Sequence, residues 1–127
     1  MSCFWDNILI SLNDEDYNYI GLSKMNNYNF IRFLKNMNEE VNEVLWNDIK
    51  LTDKQIEENL IHIDDYPVKE IENGYLCSIC DPFLLLICHL FRVNIEHIFL
   101  DTKQMYTIRD ARRTIQFKSN ESHFSVK

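Results

Sequence analysis

Two residues near opposite ends of this chain have the types and settings that nucleophilic catalysis needs. Cys3 follows Ser2, a helix-capping residue type, and Phe4, Trp5, Ile8, Leu9 and Leu12 fall at helical spacing on one face, which predicts a helix beginning at Cys3. A cysteine in the first turn lies in the partial positive charge of the helix N-terminus, which favours the thiolate, the reactive form. The structural alternative is a small core residue beside Phe4 and Trp5. A thiolate nucleophile also needs a base, usually a histidine from a distant segment. His123, in Asn120-Glu121-Ser122-His123-Phe124-Ser125-Val126, opens a strand after a polar loop. The remaining histidines read as structural: His89 lies inside an apolar helix, His97 within a strand and His62 at the end of an acidic helix.

Cys77 and Cys80 form a CxxC followed by Cys88 and His89, a set that raises zinc. With Pro82 at a helix start, Cys88 and His89 lie about two turns further on, on adjacent faces, which is too separated for an easy tetrahedral site. The cysteines are expected to be buried thiols, with no metal and no cofactor. A thioredoxin-like role fits less well, because Cys77 and Cys80 precede the helix N-cap.

The elements that must position these residues follow from periodicity. Asn13 to Asn29 reads as a loop, after which Phe30, Phe33, Leu34, Met37, Val41, Val44 and Leu45 form a helical stripe, as one bent helix or two. Thr52 and Gln55 make a capping box with Leu51 and Ile56 as its hydrophobic staple, opening a helix to about Ile61. Asp81 as N-cap and Pro82 at the first helical position start a helix through Phe91 that is apolar nearly all round. Phe83, Leu86, Leu90 and Phe91 are therefore expected in the centre of the core. Alternation then takes over in Val93 to Leu100, Met105 to Ile108, Thr114 to Lys118 and Phe124 to Val126. Helices first and strands last predict an α+β fold, with helices packed on a small, mostly antiparallel sheet formed by the C-terminal third.

With 127 residues, 46% of them apolar, the chain suits one domain over 1–127. A net charge of −7 argues against nucleic acid as a partner and favours one with a basic patch or tail. The acidic stretches are Asp14 to Asp16 and Asp64 to Asp65, and the cluster Arg109, Arg112 and Arg113 reads as a solvated turn between strands. The longest apolar run, Pro82 to Cys88, falls well short of the roughly 20 residues that span a bilayer, so no membrane role is expected. The N-terminus has no secretory pattern, which predicts a cytoplasmic protein with reduced cysteines. The abundance of Asn, Ile and Lys fits an AT-rich, viral or parasitic genome.

Three segments, taken in order, resemble the ovarian-tumour (OTU) family of cysteine proteases. Cys3-Phe4-Trp5-Asp6-Asn7-Ile8-Leu9 resembles the nucleophile helix of that family. Asn73-Gly74-Tyr75 through Asp81-Pro82-Phe83 to Ile95 resembles its buried helix running into a strand, and Ile115-Gln116-Phe117 followed by His123-Phe124-Ser125-Val126 its closing strand, loop and His-aromatic element. The resemblance covers the whole chain and implies a compact, virus-like member acting on ubiquitin or a ubiquitin-like protein, in host cytoplasm if viral. Cys3 is then the nucleophile and His123 the base of a deubiquitinating isopeptidase.

Two positions depart from the family pattern. An Asp-Gly-Asn-like segment that helps shape the oxyanion hole usually precedes the cysteine, whereas Met1 and Ser2 stand before Cys3 here. Losing one oxyanion donor commonly costs about 100- to 1000-fold in rate. Many members carry Asp or Asn two residues after the histidine, where this chain has Ser125, a hydroxyl without the charge that stabilises an imidazolium. Asn120 and Glu121 are alternative orienters. Both departures favour a rival reading, a catalytically dead OTU-like binding module. A papain-like viral leader protease ranks third, because such enzymes carry an acidic residue well beyond the histidine and only four residues follow His123.

Overall fold

Six short strands and five helices account for most of the ordered backbone in a computed structural model, which describes residues 3–66, 80–99, 102–119 and 124–126. The architecture is α+β. The helices are α1 (Cys3–Ser11), α2 (Asp14–Tyr19), α3 (Asn27–Asn36), α4 (Asp53–Asp64) and α5 (Cys80–Phe91). The strands are β1 (Leu45–Trp46), β2 (Ile49–Lys50), β3 (Asn94–Phe99), β4 (Thr102–Thr107), β5 (Thr114–Ser119) and β6 (Phe124–Val126).

The strands form one sheet in the order β2-β1-β4-β3-β5-β6. All pairings are antiparallel except β3 with β5, which run parallel from Asn94↔Thr114 to Phe99↔Ser119. The chain leaves β4, crosses the start of β3 and returns on its other side as β5. In that crossing, Asn94 donates its backbone N–H to the Arg113 carbonyl (2.9 Å) and Arg112 donates to the Arg92 carbonyl (2.7 Å).

Alternation gives the sheet one dry face. Ile95 and His97 of β3, Tyr106 of β4, and Ile115 and Phe117 of β5 are buried, while their alternating neighbours Glu96, Met105 and Gln116 are not. α5 lies over β3 and β4, and α1 over β5 and β6. Phe83 through Cys88 and Phe91 of α5 are buried at 1% exposure or less, as an all-round apolar helix requires, whereas Leu90 is only partly buried.

Several expectations are corrected. The segment read as a loop contains α2, because Asn13 and Asp16 form a reciprocal capping box: Asn13 Oδ1 accepts the Asp16 N–H and Asp16 Oδ2 accepts the Asn13 N–H, both at 2.9 Å. The stripe from Phe30 is helical only to Asn36, beyond which Val41 and Val44 are buried outside any helix. Leu45 belongs to β1, in a hairpin whose turn residues Asn47 and Asp48 take φ 53° and 66°, a left-handed conformation these two types tolerate. β1 pairs with β4, so the sheet draws on the middle of the chain as well as its last third. The Thr52–Gln55 capping box forms (2.8 and 3.1 Å), and its helix runs on to Asp64. Helix α5 begins at Cys80, so Asp81 lies within the first turn instead of capping it.

Candidate active site

Helix α1 opens with Cys3 and is anchored by its next turn. Trp5 is fully buried, with its ring edge-on to Phe83 (4.8 Å between centroids), Tyr66 (6.0 Å) and Phe30 (6.3 Å). Its Nε1–H donates to the Tyr66 hydroxyl (2.9 Å), which satisfies the indole's polar atom inside the core. The first turns of α1 and α5 are thereby fixed against each other.

The other ends of the same two helices are held by charge. Asp16 is fully buried, and both carboxylate oxygens accept from arginines: Oδ1 from Arg112 Nη2 (2.9 Å) and Arg113 Nε (3.2 Å), Oδ2 from Arg113 Nη2 (2.6 Å). Arg113 Nη2 also donates to the carbonyl of Ser11, the last residue of α1 (2.6 Å). Arg112 donates through Nε and Nη2 to the carbonyl of Phe91, the last residue of α5 (3.0 and 2.7 Å). Guanidinium groups on free C-terminal carbonyls suit both hydrogen bonding and the helix dipole. Burial alone would raise the Asp16 pKa, but hydrogen bonds from Arg113, the Asn13 backbone and Arg112 outweigh it and hold the carboxyl below its usual value. Arg112 and Arg113 are therefore not a solvated turn, and Asp16 offers no charge to a partner; the pairing spans most of the chain and leaves no local signature.

Helix α1 also lies against β6, the strand that immediately follows His123. Ser125 occupies β6 opposite Lys118 of β5, with Phe124 opposite Ser119. The fold thus brings the Cys3-bearing helix beside the strand carrying Ser125. His123, Asn120, Glu121, Ser2 and Cys77 lie outside the described residues. No family model, curated protein or solved structure matches this chain.

A polar cluster that periodicity did not reveal sits beneath the first turn of α5. Tyr106 donates its hydroxyl to the Asp81 carboxylate, joining β4 to α5. The pairing of Ile95 with Tyr106 places Tyr106 on the same face as His97, which is 6% exposed. Burial lowers the His97 pKa, opposed by the charge of Asp81. The alternating pattern marks both strand residues as inward, but their common partner is decided only by the packing of α5.

Cys88 is fully buried, and burial pushes its thiol up to about 12, so it stays protonated at neutral pH. His89 Nε2 faces Glu39 at 3.4 Å. Among the described residues no three Cys, His, Asp or Glu side chains converge to hold a metal. Likewise no helix among them is long and apolar enough to cross a membrane.

Proposed function

We propose that this chain is an OTU-like cysteine isopeptidase that removes ubiquitin or a ubiquitin-like modifier from lysine side chains. The observation that carries the reading is the adjacency of α1, which opens with Cys3, and β6, which follows His123 directly. Catalysis by a thiol needs a base within reach of the nucleophile, and this packing supports the pairing of Cys3 with His123. The buried α5 running into β3 supports the OTU-like arrangement of the core.

In the reaction, His123 takes the Cys3 thiol proton and Sγ attacks the carbonyl carbon of the modifier's terminal glycine. The backbone N–H of Cys3 donates to the developing oxyanion. His123 then protonates the departing lysine nitrogen, the C–N bond breaks, and a thioester remains. Water, deprotonated by His123, cleaves the thioester and restores the thiol. The negative charge of the protein, including a cleft of about 290 Å³ lined by Glu40, Asp53 and Glu57 beside Ile56 and Leu60, suits a partner with a basic tail.

The test is reaction with ubiquitin, and in parallel a ubiquitin-like protein, bearing a C-terminal electrophile. One adduct is expected, at Cys3, and Cys3→Ala abolishes it. An adduct on Cys77, Cys80 or Cys88, or none on folded protein, overturns the enzyme reading. One feature favours a catalytically silent OTU-like binding module, the serine at position 125. That module binds the modifier without forming an adduct.

A further inference from the structure

We infer that the cleft along the first two turns of α4 docks a basic segment of a partner protein. A lysine or arginine of that segment lays its aliphatic stem on Ile56 and Leu60 and its charge among Glu40, Asp53 and Glu57. The cleft has a volume of about 290 Å³ and is lined by these five residues. Asp53, Ile56, Glu57 and Leu60 follow helical spacing and share one face of α4, while Glu40 comes from the segment after α3. Ile56 packs against the core and Leu60 is partly buried, so the aliphatic surface is fixed, whereas the three carboxylates are exposed. Long basic side chains suit such a surface, because their stems cover apolar atoms while their heads stay with charge and water.

Residues 39–65 carry nine Asp and Glu against two Lys, a net −7 that equals the charge of the whole chain. The rest of the molecule is formally neutral, so attraction for a cationic partner is concentrated on the segment that builds the cleft. Acids beside the cleft are engaged within the fold: Glu39 faces His89 Nε2 and Glu43 faces Arg92 Nη1, each at 3.4 Å. Among the described residues no cation pairs with Glu40, Asp53 or Glu57. Nor do these three converge as the ligands of a metal ion would, which leaves them as a spread rim. Pockets that hold a small ligand start at roughly 300 Å³, so this volume accepts one long side chain of a segment and no folded domain. Ile61, 50% exposed and one turn beyond Glu57, continues the apolar surface for a neighbouring residue of the segment. The site is separate from the proposed dyad, since α4 packs on α5 whereas α1 packs on α3, β5 and β6.

The experiment follows the fluorescence anisotropy of a fluorescein-labelled peptide, Lys and Arg alternating with Leu, titrated with the full chain. Saturable binding that weakens with added salt is expected. Glu40→Gln and Glu57→Gln should each weaken it about two- to fivefold, the range of an exposed ion pair. Glu15→Gln, which removes the same charge from an exposed site in α2, should bind as the parent does, and so should Cys3→Ala. A peptide with Ser in place of Leu should bind more weakly than the Leu peptide. Equal binding by the parent and both cleft variants overturns the proposal, as does an equal loss in Glu15→Gln, which would reduce it to diffuse charge. Absence of binding to folded protein overturns it too. Displacement of the peptide by spermine at matching concentration would also overturn it, giving the cleft to a small polyamine.

Discussion

At the scale of single residues, position 125 offers a test of the proposed Cys3–His123 dyad. Ser125 stands two residues beyond His123 and lies in β6, the strand beside α1. A carboxylate there would stabilise the imidazolium, so Ser125→Asp is expected to raise turnover of a ubiquitin substrate, with His123→Ala silencing parent and variant alike. Equal rates in the parent and Ser125→Asp would assign the orienting role elsewhere, with Asn120 the next residue to mutate. Asp16 gives a structural counterpart. Asp16→Asn keeps the shape but leaves two arginines facing a neutral amide, and removing one partner of a buried pair typically costs about 3 to 5 kcal/mol. With Arg112 and Arg113 partly exposed, the lower end, about 3 kcal/mol, is expected from urea unfolding. A loss under about 1 kcal/mol would mean that water replaces the clamp.

At the scale of elements, α5 organises the core, since it packs against α3, α4, β3 and β4. Leu86→Ala removes a fully buried side chain from its centre and should cost about 2 to 5 kcal/mol in chemical denaturation. Thr52→Ala, which removes one half of the α4 capping box, should cost only about 0.5 to 2 kcal/mol. If the two losses are equal, α5 is not the centre of the cooperative core. The elements were legible wherever a local rule governed them: the α1 stripe, the Thr52–Gln55 box, the apolar α5 and the alternating strands all appear as periodicity expects. The failures lie where short polar stretches carry the decision. A six-residue α2 begins at an Asn–Asp box with little apolar pattern, and Val41 and Val44 continue the spacing of α3 after its backbone has already left the helix.

At the scale of the whole molecule, two buried groups among the described residues contribute to the response to acid. The native pKa of His97 is depressed, so the unfolded chain binds that proton first. Its contribution to stability is complete above its ordinary value of 6.5 and is lost as pH falls from there through the lower native value. Asp16 behaves likewise from 3.8 downward, where protonation releases the arginines. Urea midpoints measured against pH should therefore decline in two separate windows, and His97→Gln should flatten only the upper one. An upper decline that persists in His97→Gln would point to another histidine.

By itself the sequence determined the α+β class, the position of the apolar central helix, the strands of the last third, and Cys3 at a helix start. These depend on residue types at fixed local spacing, and local geometry is what periodicity reports. Only the tertiary structure decided that β5 runs parallel to β3, that the β1–β2 hairpin extends the sheet, and that α1 lies beside β6. It also turned Arg112 and Arg113 from an apparent surface turn into a clamp on Asp16, and Asp81 from a cap into the partner of Tyr106. Each of these pairs residues far apart in the chain. Their attraction becomes strong only after folding has removed water from between them, so no local spacing records it.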